Sequence, residues 1–547
     1  MSPAIAVNSS CGRGGGNKKN CPPAVSLTAQ PGTIELGQSS TLSWASQNAT
    51  TLDLEPWIGA VGAQGSVSVS PEQTTTYILT AANTGGTTAA SATITVNAAS
   101  GVELSPDDDL QAAVDAHAAG TSFILAPGVY RMQSVVPKNG DTFTGQTGAV
   151  LNGSLLVSSW QQVSSGWVAQ GSGITQAAWY RGVCLSGHPA CIYPEDLFFD
   201  SQPLTRVGSL SLVGPGTWYF DYGAQKAYVG TNPAGHTTEL SVLRHAFSGT
   251  ASNVRIANLT IEKYASISGQ GAVQATSDSW AGSSGWVVDS NEIRLNHGWG
   301  VRVSEGTKVT NNKIHDNGQM GLGGSGKGIL IENNEVYGNN YAAYSPRWEA
   351  GGTKFSFSTN LIVRGNYSHD NYGPGLWTDI NNDYVLYEHN HTSRNFMAGI
   401  DHEISFHATI RYNEIDNDGF ASDGTTSSIW WGDGILVANS SEVEVYGNTV
   451  TNCMNGIGGI QQDRGLAPDG APYSLKNLNV HDNTVTQQVN YASGIVKATN
   501  FDDSVYTSWG NHFSNNVFNL SNPSGKYFIW LSQQWTYAQW LSYWSIH

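Results

Sequence analysis

Two short stretches of this chain, GLWTD at residues 375–379 and GIDHE at 399–403, share one order: glycine, an aliphatic residue, two further residues, then an acid. The second begins 24 residues after the first. In a chain only 12% charged, that repetition places Asp379 and Glu403 at the same point of consecutive copies. Paired carboxylates can divide acid–base work, one ionised as nucleophile and one protonated as acid. The chemistry open to them depends on what repeats.

Further copies extend the alignment: GVRVS at 300, GLGGS at 321, GILVA at 434 and GIVKA at 494, with GGTKF at 351 read as the strand before GLWTD. The residue after each aligned glycine is aliphatic, which marks an inward position. Side chains alternate along a strand, so the second and fourth positions face outward. Those positions hold Arg302 and Ser304, Lys354 and Ser356, Trp377 and Asp379, and Asp401 and Glu403. Asp379 and Glu403 then share one outward column on adjacent strands, about 4.8 Å apart. Two carboxylates so close repel, and at least one should bind its proton more tightly. Trp377, Trp348, Trp430, Trp431 and Tyr344 fall on this face or in loops beside it. Aromatic faces interleaved with carboxylates suit sugar rings.

The elements that position these residues are repeats. From about 251 onward an asparagine recurs before a short turn, at 291, 312, 334, 366, 390, 413, 448, 483 and 516, at spacings of 21 to 35 residues. Such a period defines a solenoid. The copies are rich in Ile, Val, Thr and Tyr without a helical period, so the predicted fold is all-β, a right-handed parallel β-helix of the pectate-lyase-like kind. Stacked asparagines are expected to take the left-handed turn and to bond their neighbours above and below. SPDDDLQAAVDAHAAG, from 105, reads as a helix covering the first coil. Residues 159–243 interrupt the pattern as an antiparallel β insertion. Residues 24–97 read as a separate immunoglobulin-like sandwich with Trp44 in its core, after a tail at 1–23 and before the solenoid at 101–547.

The bulk composition narrows the partners. A net charge of −17 with no basic patch argues against nucleic acid and anionic membranes and is compatible with a neutral polysaccharide or oligosaccharide. No apolar run approaches the ~18 residues of a membrane span. Two local cysteine pairs, Cys11/Cys21 and Cys184/Cys191, with Cys453 left over, point to disulfides and an exported protein, although the N-terminus carries no signal-peptide apolar region.

Three features together resemble the parallel β-helix glycoside hydrolases, in particular family 120, which contains β-xylosidases, and the related family 141. They are the insertion from LFFDSQPL through GTWYFDYGAQKAYVGTNPAGHTTEL, the run EAGGTKF followed by GPGLWTDINN, and GIDHEIS one coil later. The resemblance covers roughly residues 101–540 and is motif-specific over 349–405. It implies a retaining hydrolase with Asp379 as nucleophile and Glu403 as acid/base, needing no cofactor, with xylan-type substrates the first expectation. Glu349 and Lys354 would bind sugar hydroxyls and tune the pair. Trp377, Asp401, His402, Trp431 and Asp433 would contact substrate, with Gln462 a further candidate, although the register turns His402 inward. The N-terminal sandwich and the Trp-rich end FIWLSQQWTYAQWLSYWSIH depart from that pattern, and the abrupt end reads as a shortened C-terminus.

Two other readings compete. A calcium-dependent polysaccharide lyase would hold the metal with Asp379, Asp401 and Glu403 and use Lys354 as base. A non-catalytic carbohydrate-binding solenoid would explain the aromatics and the N-terminal module, but gives no reason for stacked acids.

Overall fold

The computed structural model describes residues 21–35, 38–71, 73–97, 100–170, 182–419 and 429–546. The chain divides into two compact units, the first Met1–Glu103 with Ser122–Ile124, the second Leu104–Thr121 with Leu125–His547.

The second unit is a right-handed parallel β-helix. Three long sheets run the length of the solenoid, and each coil gives one short strand to each. The reason is visible in one coil. Strand Asp383–Glu388 buries Val385 and Tyr387, His391–Ser393 buries Thr392, and Ile400–Glu403 buries Ile400 and His402, so alternate side chains from three directions fill one axial core.

Corners hold the sheets together. At the first corner the asparagines predicted from the sequence form a continuous ladder. The Oδ1 of each accepts both the backbone N–H and the Nδ2–H of the asparagine one coil before, as from Asn366 to Asn390 and from Asn390 to Asn413, all near 3.0 Å. One detail differs from expectation. The left-handed residue is not the ladder asparagine but the one before it, such as Asn333 (φ 56°), His389 (φ 55°) or Tyr412 (φ 53°). The turn thereby frees the asparagine amide to reach along the stack. A second ladder, not read from the sequence, lines the next corner through Asn296, Asn317, Asn339, Asn371 and Asn395, ending on Asp418.

The helix Leu110–Ala116 is capped by Asp109, whose carboxylate accepts from the Ala112 N–H at 3.0 Å. It buries Leu110 and Val114. At the other end, strands Lys526–Trp530 and Gln533–Thr536 and the helix Tyr537–Trp544 pack Trp530, Trp540 and Trp544 against Phe513 and Phe528. Both devices shield sheet ends that would otherwise present unpaired backbone.

The insertion begins its pairing at Ser154, where Ser154–Leu156 lies antiparallel to Thr238–Ser241. A second sheet carries Gly166–Gln170, Lys226–Val229 and Thr217–Asp221. The two enclose Leu197, Phe199, Trp218, Phe220 and Leu240. Cys184 and Cys191 are joined by a disulfide, and Cys453 is free and buried. Cys11 lies outside the described residues.

In the first unit, Ala24–Gln30, Ser40–Gln47 and Gln64–Val69 form one sheet. Thr33–Glu35, Gly86–Asn97, Thr75–Asn83, Thr51–Glu55 and Gly59–Ala60 form another. They share a core of Leu27, Leu42, Trp44, Leu54, Tyr77, Leu79 and Ile94. No helix among the described residues is long and apolar enough to cross a membrane.

Candidate active site

The acids read from the sequence meet on the outward face of the third sheet. Strands Leu376–Asp379 and Ile400–Glu403 are parallel neighbours, with Trp377 opposite Asp401 and Asp379 opposite Glu403. The preceding coil follows the same register, since Phe355 faces Thr378 and so places Lys354 beside Trp377. Only the last copy was misaligned. Gly494 pairs with Gly458, which pairs with Leu436, so it occupies the outward second position rather than the aligned glycine.

Asp379 and Glu403 each have a cation of their own. Lys354 Nζ lies 2.8 Å from Asp379 Oδ2, donates to the Trp348 carbonyl at 3.0 Å and sits 3.8 Å from the centre of the Trp377 ring. Arg464 donates to Glu403 Oε1, and the Trp377 indole N–H donates to Glu403 Oε2 at 3.3 Å. Trp377 therefore stands between the two ion pairs. Burial and the neighbouring Asp379 raise the proton affinity of Glu403, against the opposing pull of Arg464. Burial, then Glu403 and Asp379, raise that of Asp401 well above the carboxylate range. Asp379 Oδ1 and Asp401 Oδ1 are buried and have no hydrogen-bond partner. A buried polar atom left open is a place where a ligand group can bind.

The cavity in front of these residues measures about 220 Å³ and is lined by Trp377, Asp379, Asp401 and Glu403, with Pro346, Arg347, Pro374, Met397, Trp431 and Arg464 around them. The chain turns sharply after each acid. Ile380 and Ile404, which directly follow Asp379 and Glu403, have φ of 67° and 37°. A β-branched residue avoids that region, and Ile404 is held there because Ser405 after it joins a corner ladder, its hydroxyl accepting from the Asn382 N–H and its N–H donating to Ser440 Oγ.

Not every expected residue reaches this cavity. His402 is fully buried in the solenoid core. Its Nε2–H donates to the Phe406 carbonyl at 2.8 Å, its Nδ1 lies 2.8 Å from Thr378 Oγ1, and burial pushes the imidazole down to about 4. It is a core residue, as strand alternation requires, and not a substrate contact. Asp433 is also fully buried and accepts from Asn455 Nδ2 at 2.8 Å. A Cβ on Gly458 would lie 2.3 Å from its Oδ2, which is buried without a partner; it does not line the cavity, and its charge raises the proton affinity of Asp401. Tyr344 is buried beside Cys191, and Trp430 stacks on Tyr491. Gln462 engages Asn439 through its backbone. Glu349 is half-buried and lines a second cavity next to the first, together with Lys354, whose ammonium pairs with Asp379 of the first.

Arg464 was not anticipated. It lies 61 residues beyond its partner, in the irregular segment after strand Asn455–Gln461, where no repeat marks it. Among the described residues, no three His, Cys, Asp or Glu side chains assemble into a metal cradle. The calcium set Asp379, Asp401 and Glu403 does not fit one, because Lys354 and Arg464 already occupy two of its carboxylates.

A family model described as "Right handed beta helix region" matches residues 271–429. No curated protein sequence matches the chain. Among solved structures, one titled "The complex structure of XylC with xylose" is 15% identical, covers 75% of this chain and 79% of its own, and superposes with a TM-score of 0.57. The mannuronan C-5 epimerase AlgE6 A-module of Azotobacter vinelandii is 14% identical over 76% of this chain and 91% of its own, at a TM-score of 0.41. A structure titled "Glycoside hydrolase" is 10% identical over 77% and 97%, at 0.39. At these identities the likeness to XylC speaks for the fold.

Proposed function

We propose that this chain is a retaining glycoside hydrolase acting on a polysaccharide or oligosaccharide. The observation that carries this reading is the direct pairing of Asp379 and Glu403 on adjacent strands, one held by Lys354, the other with its proton affinity raised. Adjacent strands stand about 4.8 Å apart, nearer the ~5–5.5 Å between retaining carboxyls than the ~6.5–9.5 Å between inverting ones.

In the first step an Asp379 oxygen bonds to the anomeric carbon and the glycosidic C–O bond breaks. The electron pair leaves with the departing oxygen, which takes the Glu403 proton. In the second step water attacks the same carbon. Glu403, now a carboxylate, accepts a proton from that water, and the bond to Asp379 breaks. Lys354 orients Asp379 and offsets its charge, Trp377 offers its ring, and Asp401 supplies an open oxygen to a sugar hydroxyl. No cofactor enters these steps. The xylose in the XylC complex makes xylosides the first substrates to test. The N-terminal sandwich fits an immunoglobulin-like spacer, and the Cys184–Cys191 disulfide suits secretion.

The lyase alternative needs Lys354 to abstract a proton, yet its ammonium is engaged by Asp379 and the Trp348 carbonyl. Purified protein and its Asp379→Asn variant, offered aryl glycosides and a polysaccharide panel with and without a chelator, separate the readings. New reducing ends without unsaturated uronides, indifferent to chelation and lost in the variant, are the expected result. Unsaturated products that need calcium would overturn the hydrolase.

A further inference from the structure

The outward face of the third sheet carries a second cavity of about 420 Å³, toward earlier coils from Asp379. Trp280, Trp299, Arg302, Glu349, Lys354 and Phe357 shape it. Its floor is nearly bare backbone. Gly323 stands in the column between Arg302 and Lys354, and a Cβ there would lie 2.1 Å from the Lys354 carbonyl and 2.9 Å from the Trp299 ring. Glycine there lets the Trp299 ring and the next strand close over the backbone. Phe357, at the rim, is 60% exposed and held at φ 54°. Phe357 precedes Ser358, whose N–H donates to Asn382 Oδ1, so its left-handed turn belongs to a corner of the coils, and that turn sets an apolar ring outward where it offers a stacking surface.

The cavity adjoins the first one. Lys354 lines the second cavity and reaches Asp379 of the first through a 2.8 Å ion pair, and Ile380, the residue after Asp379, also lines the second. Glu403, Arg464 and Trp431 line only the first. Three strand steps separate the Asp379 coil from the Arg302 coil, roughly 14 Å along the solenoid. The cations here are engaged by the protein itself. Arg302 Nη1 donates to the Gly269 carbonyl at 2.8 Å, and its guanidinium lies 4.3 Å from the Trp280 ring centre and 5.2 Å from that of Trp299. Lys354 is held by Asp379. Nothing in this arrangement calls for a substrate carboxylate.

We infer that this cavity binds a second sugar unit of the same neutral oligosaccharide, on the Asp379 side of the cleaved bond. The inference rests on the hydrolase reading. The leaving oxygen must lie toward the acid, Glu403, so a unit held beyond Asp379 belongs to the glycone. The enzyme then releases a disaccharide or longer product rather than single sugars, with Phe357 and Trp280 as its stacking platforms.

The test compares aryl monosaccharide and aryl disaccharide glycosides of the xylose, arabinose, glucose, galactose and mannose series. Expected is a kcat/KM about tenfold higher for the disaccharide of the preferred series, the scale of one good aromatic contact. The intact disaccharide should be the first product, and the preference should fall toward one in Phe357→Ala and in Trp280→Ala. Equal rates on both lengths, with a monosaccharide released first, would overturn the second unit and leave the hydrolase standing. If neither length is cleaved, the hydrolase reading fails, and calorimetric titration of the wild type with neutral tetrasaccharides of the same series decides the cavity. Binding weakened by Phe357→Ala upholds it, and no binding overturns it.

Discussion

The asparagine ladders and the acid column are built on the same coils and obey opposite rules. In the ladder, Asn390 donates to the Val363 carbonyl and to Asn413 Oδ1, while its own Oδ1 accepts twice from Asn366. Every polar group at that position has a partner one coil away. One strand further along the chain, Asp379 Oδ1 and Asp401 Oδ1 are buried without partners and like charges stack in register. A fully satisfied polar stack adds rigidity, and a partly satisfied one costs stability. The solenoid can carry the second because the first supports it on either side. The difference separates the part of the coil that holds the fold from the part that a substrate must complete.

Mutations at the two places should therefore fail in different ways. The largest effect is expected on catalysis. Asp379→Asn should lower kcat on the preferred glycoside by on the order of 10⁴-fold while circular dichroism still shows the folded solenoid. Activity within tenfold of wild type would remove Asp379 from the chemistry. The ladder should give the converse result. Asn390→Ala strips partners from the buried Asn366 N–H and amide and from the Val363 carbonyl, at about 1–3 kcal/mol for each group left open. Thermal unfolding should shift down by several degrees, with kcat of the folded fraction much less affected. An unchanged melting point would mean that the ladder contributes little.

Arg464 tests the electrostatics. It opposes the upward shift of Glu403, so Arg464→Ala should raise the proton affinity of Glu403 further. The acid must be protonated for the first step, so the alkaline limb of kcat/KM against pH should move to higher pH. A limb that stays put or moves down would mean another group sets it.

The smallest effect concerns stability alone. The folded-state pKa of Asp401 lies above its unfolded value of ~3.9. Below that pH both states are protonated and burial carries no ionisation penalty. As pH rises toward the folded value the unfolded chain ionises and the native state loses ground. Asp401→Asn should therefore melt about 2–4 °C higher than wild type at pH 7, with the gain vanishing near pH 4. A variant that melts lower at pH 7 would show that Asp401 has a structural partner after all.

Repetition and strand alternation were enough to read the solenoid, the first ladder, the outward register of Lys354, Trp377, Asp379, Asp401 and Glu403, and the inward turn of His402. All of these are local rules that recur at each coil, so one sequence carries several independent statements of each. The tertiary structure alone decided what is not periodic. It brought Arg464 from an irregular segment onto Glu403, kept Asp433 and Tyr344 out of the cavity lining, and turned Glu349 toward a neighbouring cavity. Such contacts join residues whose separation follows no repeat, and each arises from the packing of one particular loop against one particular coil. The second asparagine ladder falls between these cases. Its members recur five residues after those of the first, in runs such as NEIRLN and NKIHDN, and the spacing was legible, although only the stacked coils showed that both columns bond along the whole axis.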